Sequence, residues 1–138
     1  MAKYYLDTLI WRDYYEGRKD NLRPLADWAL IFLKKAIAED SIILYSDFVD
    51  AELRKDYDDR KIKDVLELVT DAQILKIINA NNEQIREAAR ISKARKVPFG
   101  DALHAVLARD NGAIVITRDK HFENLQDIAP SKKPEELI

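Results

Sequence analysis

The sequence predicts a three-layer α/β/α domain around a central, mostly parallel sheet of four or five strands. Three observations carry the prediction. Short β-rich runs alternate with helical ones along the chain. The run AIVIT at 113–117 is apolar on both faces, as a central parallel strand must be. No repeat, low-complexity tract or linker interrupts the 138 residues, a length that fits one domain, 1–138, with one core.

The elements follow in order. KYYLD is a short strand bounded by Asp7. TLIWRDYYEGR is helical and stops near Gly17. In LRPLADWALIFLKKAIAED, Pro24 suits a first helical turn, and Leu25, Trp28, Ala29, Phe32, Leu33 and Ile37 recur at helical spacing. That stripe reads as core, with a dimer or partner face as the alternative. SIILYS is the second strand, DFVDAELRKDY and KIKDVLELVT are helices, and QILKII is the third strand. NNEQIREAARISKARK is a helix capped by Asn81 or Asn82. PFGDALHAVLARDN is the next, with Gly112 as its stop. AIVIT is the fourth strand, DKHFENL a short helix, and DIAP a candidate fifth edge strand. Residues 130–138 read as a polar C-terminal tail that trails from the domain.

Composition excludes several functions. Hydrophobic residues make up 47% and charged residues 35%, a globular balance. No apolar run reaches the ~18 residues of a membrane span, and MAKYYLDTLIW lacks a signal-peptide layout, so no membrane partner and a cytoplasmic location are expected. Cysteine is absent, which removes disulfides and thiolate metal sites. With three glycines there is no GxGxxG and no GxxxxGK[ST], which argues against dinucleotide and P-loop sites. Net charge is −2, so no overall basic field points to nucleic acid. The local basic clusters read as solvated faces.

Four acids stand where the strands of such a sheet end, the edge where open parallel sheets bind ligands. Asp7 ends the first strand. Glu52 lies on the helix after the second, on a stripe with Phe48, Val49 and Leu53. Asp101 opens a helix of Ala, Leu and Val, and Asp119 follows AIVIT by two residues. Singly, Asp7 and Asp119 pass as helix caps, and a helix dipole favours Asp101. Glu52 has no such explanation. Burying even one unpaired carboxylate costs roughly several kcal/mol, and four together repel one another. Hard oxygen donors without Cys or paired His select Mg²⁺ or Mn²⁺, one or two ions. Such a cage commonly serves phosphoryl hydrolysis. His104 reads as a helix-surface or supporting residue rather than a ligand. No Ser–His–acid set favours acyl transfer. A phospho-receiver would need two acids after the first strand and an Asp after QILKII, where Asn79 stands. A phosphatase with an Asp nucleophile would need an acid where Leu9 stands.

The segments YYLDTLIW, DAEL, PFGDALHAVLARDNGAIVITRDKHFENL and PEEL together resemble a PIN domain of the kind found in VapC-type ribonuclease toxins. The resemblance runs over essentially the whole chain and is most specific from Pro98 to Leu125. It places the family's acids on Asp7, Glu52, Asp101 and Asp119, as catalytic residues and metal ligands. It implies a Mg²⁺- or Mn²⁺-dependent endoribonuclease with RNA as substrate and a small antitoxin protein as partner; a homodimer is expected as the usual default for soluble oligomers. Thr8 and Thr117 would support the ligands, and Arg12, Arg118 and Lys120 would meet the substrate's phosphates. Leu9 departs from the family, which often has Asn or Ser there. The alternative is therefore a catalytically weak or inactive PIN-like module acting in RNA binding or protein assembly.

Overall fold

The computed structural model describes residues 1–19 and 21–138. Five strands form one sheet: β1 (Lys3–Leu6), β2 (Ile42–Ser46), β3 (Leu75–Ile78), β4 (Ile114–Ile116) and β5 (Ser131–Lys132). Their order is β3-β2-β1-β4-β5 and every neighbouring pair is parallel. Six α-helices are described: α1 (Thr8–Glu16), α2 (Leu25–Ala38), α3 (Asp47–Leu53), α4 (Asp59–Asp71), α5 (Asn82–Arg95) and α6 (Phe99–Asp110). Two 3-10 turns, Lys120–Leu125 and Pro134–Leu137, complete the chain.

β1 separates the two helical layers because successive side chains of a strand point to opposite faces. Tyr4 meets Phe32 of α2 edge to face, with ring centroids 5.0 Å apart. Tyr5 points the other way and meets His104 of α6 at 5.3 Å. Trp11 of α1 packs on Tyr45 of β2 at 5.9 Å, on the Tyr4 side. β1, β2 and β4 are buried almost throughout, as the two covered faces require.

Local chemistry explains the helix ends. Gly17 closes α1 with φ of 66°, a left-handed conformation that a side chain would strain. Asn81 and Gln84 satisfy each other's backbone N–H groups at 2.8 and 2.9 Å, so Asn81 rather than Asn82 caps α5. The stripe on α2 is core: Leu25, Ala29, Phe32, Leu33 and Ala36 are buried, while Trp28 and Ile37 are half-buried.

The C-terminal segment differs from the sequence expectation. The fifth strand is Ser131–Lys132, not DIAP, and residues 130–138 dock rather than trail. Val115 N–H donates to the Pro130 carbonyl and Thr117 N–H to Lys132, both at 2.9 Å. Pro134 is buried, and Lys35 Nζ reaches the Leu137 carbonyl at 2.8 Å. Arg118 grips Glu135 with two bonds of 2.7 and 2.8 Å and lies over the Trp28 ring at 5.3 Å. Its Nε lies 3.8 Å from the buried Asp13. Backbone pairing and one ion pair recruit this polar segment.

The chain runs from β1 outward through β2 to β3, then returns to place β4 on the other side of β1. The order therefore reverses between β1 and β4, and a crevice opens at the carboxyl ends of those strands. Asp7 and the 117–119 loop stand there.

Replacing Glu135 by Ala leaves the Arg118 guanidinium without its two bonds. Urea unfolding should show a loss of about 1–3 kcal/mol. Unchanged stability would mean the docked segment contributes nothing through this pair.

Candidate active site at the switch point of the sheet

Asp7 is the N-cap of α1, and its Oδ1 accepts the Ile10 N–H at 3.2 Å. Capping alone is an ordinary role, but this carboxyl is buried at 5% exposure. Its Oδ2 accepts a short hydrogen bond from the Thr117 hydroxyl. The same hydroxyl accepts the Asp119 N–H at 3.0 Å. Thr117 thus fastens the end of β4 to the end of β1. Asp119 in turn accepts the His121 N–H at 2.9 Å, which starts the first 3-10 turn.

Asp101 sits in the first turn of α6, whose N-cap is Pro98 and offers no side-chain cap. Gly100 lets that turn approach α3: a Cβ there would lie 3.3 Å from the Phe48 ring and 3.9 Å from Glu52 Oε2. The Asp101 side chain is 14% exposed, and its Oδ2 has no aligned hydrogen-bond donor among the described residues. His121 Nδ1 stands 3.2 Å from that oxygen and 2.9 Å from Asp119 Oδ1. One ligand atom from each of Asp101, Asp119 and His121 falls within 4.8 Å of the others.

Glu52 joins the group through neighbours. Its Oε1 accepts the Thr8 hydroxyl at 2.5 Å and lies 3.2 Å from His104 Nε2. His104 is buried, not on the helix surface where the sequence reading allowed it. Its Nδ1 is 2.7 Å from the Tyr5 hydroxyl, which is 2.7 Å from Ser46 Oγ. Ser46 accepts the Val49 N–H at 3.0 Å and caps α3, the helix that carries Glu52. One proton arrangement satisfies every member. Ser46 donates to Tyr5, Tyr5 donates to Nδ1 of His104, and Nε2–H donates to the Glu52 carboxylate.

The electrostatics divide the acids. Burial, and then the Asp119 charge and hydrogen bond, push the Asp101 carboxyl up to about 7. Burial also raises Asp7, against the opposing pull of Thr117, His104 and Ile10. Burial pushes Glu52 up too, but hydrogen bonds from His104 and Thr8 outweigh it and hold this carboxyl below its ordinary value. The structure thus brings Asp101 and Asp119 into contact and sets Asp7 within reach of both charges. Glu52 is linked through Thr8 and His104.

The basic candidates are placed unequally. Arg12 Nη1 binds Asp56 at 2.7 Å, and its Nη2 donates to the Glu52 carbonyl at 3.0 Å. Arg118 is held by Glu135. Lys120 is exposed and lines a cleft of about 480 Å³ that also contains Asp119, Lys132 and Lys133. Sequence reasoning missed His121 as a neighbour of two acids, although its spacing of two from Asp119 within a tight turn was visible.

A family model described as PIN domain matches residues 4–128. The chain belongs to the PIN-domain family. PIN domains are generally nucleases and typically use divalent metal ions. No curated protein sequence matches this one significantly. Among solved structures, the PIN chain is similar to one in the crystal structure of VapBC2 from Rickettsia felis bound to a DNA fragment from their promoter. That match has a TM-score of 0.68 and 17% identity over 95% of this chain and 98% of the other. FitAcB from Neisseria gonorrhoeae matches with a TM-score of 0.63 and 18% identity over 95% and 97%. PAE2754 from Pyrobaculum aerophilum matches at 0.54 and 19% over 94% and 90%. At these identities the likeness shows the fold. Among the described residues no helix is long and apolar enough to cross a membrane.

The Asp101 shift has a sign. Between about pH 4 and the value of about 7, the folded state holds a proton that the unfolded state has lost. Metal-free stability is therefore fully present at lower pH and falls as pH rises through that window. In EDTA, Asp101→Asn should flatten the fall and melt a few degrees above the wild type at about pH 8, read by thermal unfolding. Identical slopes in both proteins would contradict the burial and repulsion assigned here.

Proposed function

We propose that this protein is a divalent-metal-dependent endoribonuclease that hydrolyses RNA phosphodiester bonds, and that it acts as the toxin of a toxin–antitoxin pair. The observation that carries the reading is the Asp101–Asp119 contact. Two carboxyls come together beyond the strand ends, one buried oxygen lacks an aligned donor, and Asp7 adds a third charge. Opposite charge is what that place lacks. Its donors are hard oxygens, which fits Mg²⁺ or Mn²⁺.

Asp7, Asp101 and Asp119 would hold one or two such ions, with Glu52 at the rim. An ion bound there supplies Lewis acidity toward water and toward a phosphoryl oxygen. The protein's own groups do the rest. Thr117 fixes Asp7 and the Asp119 backbone in one arrangement. Thr8 and His104 occupy Oε1 of Glu52, so Oε2, on the side of the Gly100 turn that carries Asp101, is the oxygen without a described hydrogen bond. Lys120 and Lys132, exposed along the adjoining cleft, are the side chains that meet the RNA backbone. Arg12 and Arg118 serve by holding α3 and the C-terminal segment in place.

The toxin reading draws on the neighbours, whose structures are VapBC and FitAB assemblies with DNA. A small antitoxin would fill the acidic crevice with a cationic side chain such as Arg, a charge-assisted match to paired carboxylates. A cytoplasmic homodimer completes the proposal.

The test is cleavage of labelled RNA by the purified protein in Mg²⁺, in Mn²⁺ and in EDTA, with Asp101→Asn alongside. Cleavage should require metal and fall by about a hundredfold or more in the variant. Cleavage that survives the substitution would place the chemistry elsewhere. Its absence in folded wild-type protein across varied RNAs would favour the binding-module alternative.

A further inference from the structure

The two histidines of this chain stand in opposite situations. Both ring nitrogens of His104 are engaged, one by Tyr5 and one by Glu52. His121 is half exposed, at 50%, and packs no core. Its Nδ1 is nevertheless aimed between two carboxylates, 2.9 Å from Asp119 and 3.2 Å from Asp101. Backbone geometry sets this up. The Asp119 carboxylate accepts the His121 N–H, so the tight turn gathers both side chains on the side where α6 presents Asp101. Three donor atoms from separate residues then lie within 4.8 Å of one another, two oxygens and one nitrogen.

We propose that His121 Nδ1 is a ligand of the divalent ion held by Asp101 and Asp119, and that this nitrogen makes the site prefer Mn²⁺ to Mg²⁺. The inference rests on the metal-dependent reading above and adds the identity of the ion. Mg²⁺ favours an all-oxygen, near-octahedral shell and keeps several waters. Imidazole suits transition ions, so each nitrogen donor tilts a site away from Mg²⁺. Without an ion, the same nitrogen lies beside the two carboxylates but makes no aligned hydrogen bond to the buried Asp101 oxygen. With the ion present, the proton belongs on Nε2 and the Nδ1 lone pair faces the cation. The half-exposed ring can make that change without disturbing the core.

The experiment uses the full chain, with Mn²⁺ and Mg²⁺ as probes. Pulsed electron paramagnetic resonance of bound Mn²⁺ should show coupling to a directly bound nitrogen in the wild type, lost in His121→Ala. By titration calorimetry, His121→Ala should bind Mn²⁺ about tenfold or more weakly, with a smaller loss for Mg²⁺. Absence of nitrogen coupling in the wild type would overturn the proposal. So would Mn²⁺ affinity that stays equal or rises in His121→Ala, since the ring would then be only a counter-ion to the empty carboxylates. Asp101→Asn separates the two levels of inference. It should abolish tight Mn²⁺ binding, and wild-type affinity in that variant would sink the nuclease-site reading itself.

Discussion

Like charges held close under partial burial are the constraint on which this structure turns. Asp7 is almost wholly enclosed and Asp101 is 14% exposed; burial raises both, the Asp119 charge raises both, and the Asp7 charge adds to the rise of Asp101. A protein core avoids such an arrangement unless something offsets it. In the metal-free chain the offset is partial: a proton on Asp101, the ring of His121, and the hydroxyl of Thr117. Each is a group that a cation would replace or reinforce. The crevice is therefore built in a state of unmet charge, and that is what gives it affinity for something positive.

The surrounding groups hold this state without dissipating it. Thr117 spans β1 and β4 at the point where strand order reverses, so Asp7 and Asp119 move together. On the other side, Ser46, Tyr5 and His104 form a buried chain that ends on Glu52, and Ser46 also caps the helix from which Glu52 projects. Position and protonation of Glu52 are thus set by the same contacts. The buried Tyr5 phenol stays protonated because burial pushes its pKa up, so its hydroxyl remains available to the chain as a donor. Hydrogen-bond donors on one carboxylate and acidic neighbours on another produce two chemically different acids a short distance apart.

Much of this was legible in the sequence because it obeys local rules. The strands show as short apolar runs, Asp7 as the cap of an apolar helix, and Asp101 as an acid on a helix of Ala, Leu and Val. The pairing of β5 was not legible, since SK carries no hydrophobic pattern and is recruited through the backbone of β4. Of the two places the sequence allowed His104, helix surface or support beside the acids, the structure shows the second, and its partners were not legible for a related reason. His104 contacts Tyr5 across 99 residues and Glu52 across 52, and no local spacing announces such partners. Arg118 looked like a cation beside Asp119, but Glu135 and Trp28, distant in sequence, claim its guanidinium. The four acids are the reverse case, for their cost is visible locally even when their convergence is not. That the chain belongs to the PIN-domain family follows from the match over residues 4–128.

The most direct measurement is a carbon-detected NMR titration of the Asp101 side-chain carboxyl, with and without Mg²⁺. The account predicts a metal-free midpoint near the value of about 7, and a carboxylate that stays ionised well below that pH when Mg²⁺ is present. An ordinary midpoint of about 4 in both conditions would contradict it. The carboxyls would then not be crowded, and nothing in the crevice would call for a cation.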